Sequence, residues 1–241
     1  MNMIGSNNLG INGRGKVSGG TFNRVNIHGD GRVEGNLTCA RLLTSGRCGI
    51  NGDVETQLIE LNGDATFLGN VAGILGQFHG RTKVLGNLNL KEMEMNGQGK
   101  IKGNWEAERV KVLGSLSVGG TFTGDQVLIR GGCHFRSPIC VNHLELRLHA
   151  NSSAKTIEGE FIHVKRVFGF LWLLQNLFFQ SLSLTAQSIE GKVVILENTR
   201  AKMVRGDRVM IGPRCEIEHV EYRSHFHQHT GAVVHHRKQI G

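Results

Sequence analysis

The sequence predicts an all-β fold, a parallel β-solenoid with three short strands and about 17 residues in each coil. Three observations carry this. Gly29, Gly46, Gly63, Gly80, Gly97, Gly114 and Gly131 follow one another at a fixed period of 17, in a chain where glycine is only 34 of 241 residues. A second ladder, Gly35, Gly52, Gly69, Gly86, Gly103 and Gly120, keeps the same period six residues further on and ends at Ser137. Between the ladders run apolar columns. Four residues past each first-ladder glycine stand Val33, Ile50, Phe67, Val84, Ile101, Val118 and Phe135, and eight past stand Leu37, Val54, Val71, Leu88, Trp105, Phe122 and Ile139.

A further pair of columns completes the repeat. Leu42, Ile59, Gly76, Met93, Val110, Val127 and Leu144 lie thirteen residues past the ladder, followed two residues later by Thr44, Leu61, Phe78, Met95, Val112, Ile129 and Leu146. Spacing by two is the strand period, in which alternate side chains share a face. A helix would need a 3.6 period and would lose about 1 kcal/mol at each interior glycine. One repeat cannot bury its apolar columns alone, so coils must stack, like residue over like residue.

Taken in order, residues 1–12 are polar and outside the repeat and read as a flexible tail. The β-helix is expected over 13–221. Its first coil is imperfect, because Gly13 lies 16 residues before Gly29, and Val17, Phe22, Val25 and Ile27 are expected to fill it. The regular array covers 29–146, with Arg32, Glu34, Lys100, Lys102 and Glu108 facing out. Asp30, Asp53 and Asp64 are placed beside ladder glycines as turn residues that hydrogen-bond their own backbone. After Leu146 the register breaks. Ile157, Phe161 and Val164 keep fragments of alternation.

An apolar interruption follows at 168–180, carrying Phe168, Phe170, Leu171, Trp172, Leu173, Leu174, Leu177, Phe178 and Phe179. It is too short to cross a bilayer. It either packs over the solenoid or forms a contact with a membrane surface or a partner groove. Final coils are expected over 181–221, with Leu182 and Leu184, Val193 and Ile195, Val209 and Ile211, then Cys215, Ile217 and Val220 inward. The total is about ten or eleven coils. Residues 222–241 read as a flexible tail rich in histidine: His225, His227, His229, His235 and His236.

Composition narrows the function. Aromatics are 6% and the formal charge is +8, spread over outward positions without an aromatic-lined basic face, so no nucleic-acid partner is expected. Five cysteines without a C-x-x-C pair, with Cys48 and Cys133 in step with inward slots, point to buried thiols and a reducing compartment. The start lacks the features of a signal peptide, and a cytoplasmic location is expected. No catalytic set, metal site, cofactor or small-molecule substrate is expected. Extended spacing could line up His225, His227 and His229, but no carboxylate or thiolate joins them.

The pattern G-x-x-x-[VIF]-x-G-x-[LV], seen as GDGRVEGNL at 29–37, GRTKVLGNL at 80–88 and GQGKIKGNW at 97–105, resembles the bactofilins. The stretch from Val204 to Tyr222 is similar to the end of the bactofilin-like proteins of Bacillus-type bacteria. The resemblance implies a right-handed, three-sided β-helix that polymerises end to end without nucleotide, often at the inner face of the membrane. Such filaments scaffold proteins in cell shape, motility or envelope assembly. It implies as partners further copies of this chain or a paralogous bactofilin. Uncapped terminal coils offer unpaired backbone and an apolar cross-section to another chain. The expected polymer contacts are Val17, Phe22 and Val25 at one end, and Val209, Ile211 and Ile217 at the other.

Two other readings compete. Left-handed β-helix acyltransferases also repeat apolar residues and glycines, but in hexapeptides, and 17 is not a multiple of six; His28, His79 and His134 have no evident catalytic partner. A solenoid adaptor that does not polymerise is the second.

Overall fold

The computed structural model describes residues 7–166 and 182–241. Regular structure among these residues is β, and the chain divides into two compact units, 1–124 and 125–241. The first unit contains β1 (Asn8–Asn51), β2 (Val54–Phe67), β3 (Val71–Val84), β4 (Leu88–Ile101), β5 (Trp105–Val118) and the opening of β6 (Phe122–Phe135). Each strand from β1 to β5 pairs in parallel with the next at a shift of 17, so Leu37 faces Val54, Val54 faces Val71, Val71 faces Leu88 and Leu88 faces Trp105.

Three pairs of inward positions in each coil give it three sides. In the coil that opens at Gly46 they are Cys48 and Ile50, Val54 and Thr56, then Ile59 and Leu61. The ladder glycines stand at the bends with positive φ, 125° at Gly63 and 118° at Gly80. A Cβ at Gly63 would also overlap the carbonyl of Gly46 in the coil below. Both features exclude an L side chain, which is why the position repeats as glycine. The core is filled unevenly: Gly76 leaves room that Leu90 and the Phe78 ring occupy. Trp105 and Phe122 stack with centroids 4.2 Å apart.

A second ladder holds the bends of this unit together. The side-chain oxygens of Asn36, Asp53, Asn70, Asn87 and Asn104 each accept the backbone N–H 17 residues on, at Asp53, Asn70, Asn87, Asn104 and Thr121, over 2.7–3.1 Å. Asp53 therefore serves the neighbouring coil rather than its own turn. Backbone bonds run between the same coils beside it, such as Leu37 N–H to Asp53 O, 2.8 Å.

The second unit continues β6 and contains β7 (Ile139–Leu148), β8 (Ser152–Arg166), β9 (Leu184–Leu196), β10 (Thr199–Ile211), β11 (Glu216–Gln228) and β12 (Val233–Gln239). Its coils vary in length. Ile139 pairs with Ile157, Ile157 with Ile189, Ile189 with Val204, and Val204 with Val220, so one buried column survives shifts of 18, 32, 15 and 16. The slack is taken up at bends, where Asn198 and Arg214 adopt φ of 49° and 58°, and at a bulge between Gly206 and Arg208.

Several expectations are corrected. The solenoid begins at Asn8, not residue 13: Asn23 N–H donates to Asn7 O (2.8 Å) and Ile11 is buried. At the other end residues 222–239 belong to β11 and β12 and are not a tail, because pairing in register continues past Tyr222. Phe161, Val193 and Ile195 are not the inward residues of their strands. Ile162, Val194 and Leu196 are, paired Ile162 with Val194 and Val194 with Val209. In an unbroken apolar run the period shows through but its phase does not, and the stacked neighbours set it. The segment 168–180 lies outside the described residues except at its flanks, where Ser152 N–H donates to Ser183 O (2.9 Å) and Glu197 N–H to Val164 O (2.9 Å).

Candidate functional site: two unlike terminal coils

The first coil of the first unit is built from β1. Val17 and Phe22 are half-buried there, whereas Val33 and Leu37, which follow them in the chain, are fully buried. Val25 is also fully buried, because the strand that starts at Asn8 runs over it. The inward residues at this edge, Leu9, Ile11, Val17 and Phe22, are all apolar. Of the three contacts expected at this end, the structure leaves Val17 and Phe22 accessible and takes Val25 inside.

The last coil of the second unit is different. Val209, Ile211 and Ile217, expected at the terminal face, are fully buried. Val209 and Ile211 pair with Phe226 and Gln228 of β11, and Ile217 with Val234 of β12. They are interior residues, since two further strands stack on β10. The terminal face is made by residues that sequence reading assigned to the tail. Tyr222 and Phe226 are stacked, 5.2 Å between centroids. Arg237 occupies the position above Val220 in the inward column and lays its guanidinium 5.7 Å from the Phe226 centroid. Gln239, above Tyr222, donates from Nε2 to Arg223 O at 2.9 Å. The outward rings of His219 and His236 stack at 4.9 Å. Counting back from Val234 and Arg237 to Ile217 and Val220 at the period of 17 would have revealed this coil. The polar and basic residues of the stretch hid it.

Elsewhere the chemistry is quiet. His28 Nδ1 lies 2.9 Å from Ser45 Oγ, and His134 Nδ1 lies 3.0 Å from Ser153 Oγ, both at the surface and without a carboxylate partner. Among the described residues no group of three or more His, Cys, Asp or Glu is placed to hold a metal ion. Burial pushes the thiols of Cys48 and Cys133 up to about 12 and that of Cys215 up to about 11, so none is a thiolate nucleophile at neutral pH. Glu145 is drawn down to about 2 by its hydrogen bond from Arg147 and by Lys165; Arg147 Nε and Lys165 Nζ lie 2.7 and 2.8 Å away. Ion pairs such as Arg81 with Asp64 and Lys111 with Glu94 join successive coils. These are structural pairs. Phe168, Phe170, Leu171, Trp172, Leu173, Leu174, Leu177, Phe178 and Phe179 lie outside the described residues. Among those described, no helix is long and apolar enough to cross a membrane.

The fold is that of a parallel β-solenoid; the first coil of the first unit has apolar inward residues, and the last coil of the second carries Arg237 in its inward column. The chain is similar to two proteins of Bacillus subtilis (strain 168): uncharacterized protein YhbE, 64% identical over 39 residues, and uncharacterized protein YhbF, 40% identical over 85 residues. These matches span 16% and 34% of the lengths of both chains. No family model matches the chain, and no solved structure matches it.

Proposed function

We propose that this protein is a non-enzymatic structural scaffold that associates with further copies of itself through its terminal coil, in the nucleotide-independent, end-to-end manner that the bactofilin resemblance implies. The observation that carries the reading is the N-terminal coil. The inward residues of its edge are apolar, and Val17 and Phe22 are half-open where Val33 and Leu37 are fully covered. A parallel sheet edge backed by an apolar cross-section is a template for another chain. A cytoplasmic location, a paralogue as a second partner in assembly, and contact of Phe168 to Phe179 with a membrane surface or a partner groove belong to the same reading and rest on the sequence.

Sedimentation velocity over a range of concentrations tests it, beside Phe22→Asp and Val17→Asp variants whose β circular dichroism matches the parent. The parent should sediment above monomer mass, and each variant as a monomer. A parent that stays monomeric at every concentration would overturn self-association.

A further inference from the structure

The C-terminal coil bears on how far such assembly can go. We infer that β12 is a built-in terminator: Arg237 and Gln239 close the C-terminal end of the second unit against a stacking copy and restrict self-association to the N-terminal coil. The inference rests on the self-associating reading above and narrows it.

Four features of the structure converge. The inward column Ile157, Ile189, Val204, Val220 is aliphatic and fully buried, and its next member is Arg237. The column Ile162, Val194, Val209 ends in Phe226. β12 stops short of that ring, pairing only from Glu216 with Val233 to Tyr222 with Gln239. The guanidinium of Arg237 covers the ring instead, in a cation–π contact, and Tyr222 flanks it. Gln239 Nε2 donates to Arg223 O, just past the last β11 residue that β12 pairs with. Finally, the outer edge strand itself reads VVHHRKQ, with the cations Arg237 and Lys238 side by side.

Each feature opposes strand addition for a different reason. A coil stacked on this end would bury the Arg237 guanidinium with no carboxylate in its column, a desolvation that nothing offsets. It would also have to accommodate or displace the Gln239 side chain bonded to Arg223 O. Lys and other charges on an edge are how sheets resist pairing with their own kind. In the described N-terminal coil the exposed cations Arg14 and Lys16 pair with Asp30 and Glu34 of the next coil, and no cation stands among the inward residues Leu9, Ile11, Val17 and Phe22. With one open end, copies of this chain alone join in pairs and stop, whereas two open ends give an unclosed filament.

Negative-stain electron microscopy and sedimentation velocity on the full chain test this with Arg237→Leu, which restores an aliphatic residue to the column, and Arg237→Lys, which keeps the charge. The parent and Arg237→Lys should reach pairs and form no filaments; Arg237→Leu should form assemblies at least about tenfold larger, with unchanged circular dichroism. Filaments from the parent would overturn the terminator and leave self-association standing. A monomeric parent whose Arg237→Leu variant pairs would overturn association through the N-terminal coil while keeping the cap. Parent and Arg237→Leu indistinguishable in size would overturn the cap.

Discussion

The two units solve the same stacking problem in opposite ways. From Gly29 to β5 every coil is 17 residues, one bend of each carries a glycine with positive φ, and a continuous ladder of Asn and Asp side chains ties another bend to its neighbours. From β7 to β12 the shift takes values of 15, 16, 17, 18 and, between β8 and β9, 32, and among the described residues only isolated rungs such as Ser183 N–H to Asn151 Oδ1 take the place of a continuous side-chain ladder. Yet the inward columns stay in register in both. What a solenoid conserves is therefore the position of the core residue above its neighbour. Coil length is free wherever the bend chemistry can absorb a residue.

The comparison breaks most sharply at the glycines. Gly63→Ala in the first unit should cost about 3 kcal/mol, combining positive-φ strain with overlap of the Gly46 carbonyl. Gly206→Ala in the second should cost about half as much, since its φ is ordinary and what opposes it is the close approach of Gly191 O, 2.7 Å, with Val209 Cγ2 at 3.1 Å. Urea unfolding of the two variants checks the order; equal losses would mean that the ladder geometry is not what sets coil length.

A smaller effect sharpens the contrast at the asparagines. Asn198 sits at φ 49° and donates to Leu182 O at 3.2 Å. Asn198→Ala should cost about 2 kcal/mol through the left-handed backbone and the lost bond, and Asn198→Gly about half of that. Asn87, in the side-chain ladder, loses one exposed bond, so Asn87→Ala should cost about 1 kcal/mol. Thermal midpoints with matched controls would show whether bends in the second unit depend on backbone conformation and those in the first on hydrogen bonding.

The smallest effect is electrostatic and confined to the second unit. Glu145, held down to about 2 by Arg147 and Lys165, contributes stability above its ordinary value of 4.5 that is lost as pH falls towards 2. Glu145→Gln should lower the urea midpoint at pH 7, and the gap to the parent should narrow below pH 4.5 and close near pH 2. A gap independent of pH would assign the loss to packing alone.

The divide between what was legible and what was not follows the same two regions. Seven glycines at one period and columns spaced by two are local facts of the chain, and they sufficed for the fold, the coil length and the three sides of the first unit. Cys48 and Cys133 as buried thiols were legible for the same reason. Where the period changed, the sequence lost its phase. Val193 and Ile195 are as apolar as Val194 and Leu196, and only the coils above and below decide which pair faces in. The same holds for the C-terminal coil. Arg237 in a run of histidines and lysine reads as a solvated tail, and becomes a lid only because Val220 lies beneath it and Phe226 beside it. Periodicity is written along the chain, whereas the phase of a strand and the function of a charge depend on which residues the stack brings next to it.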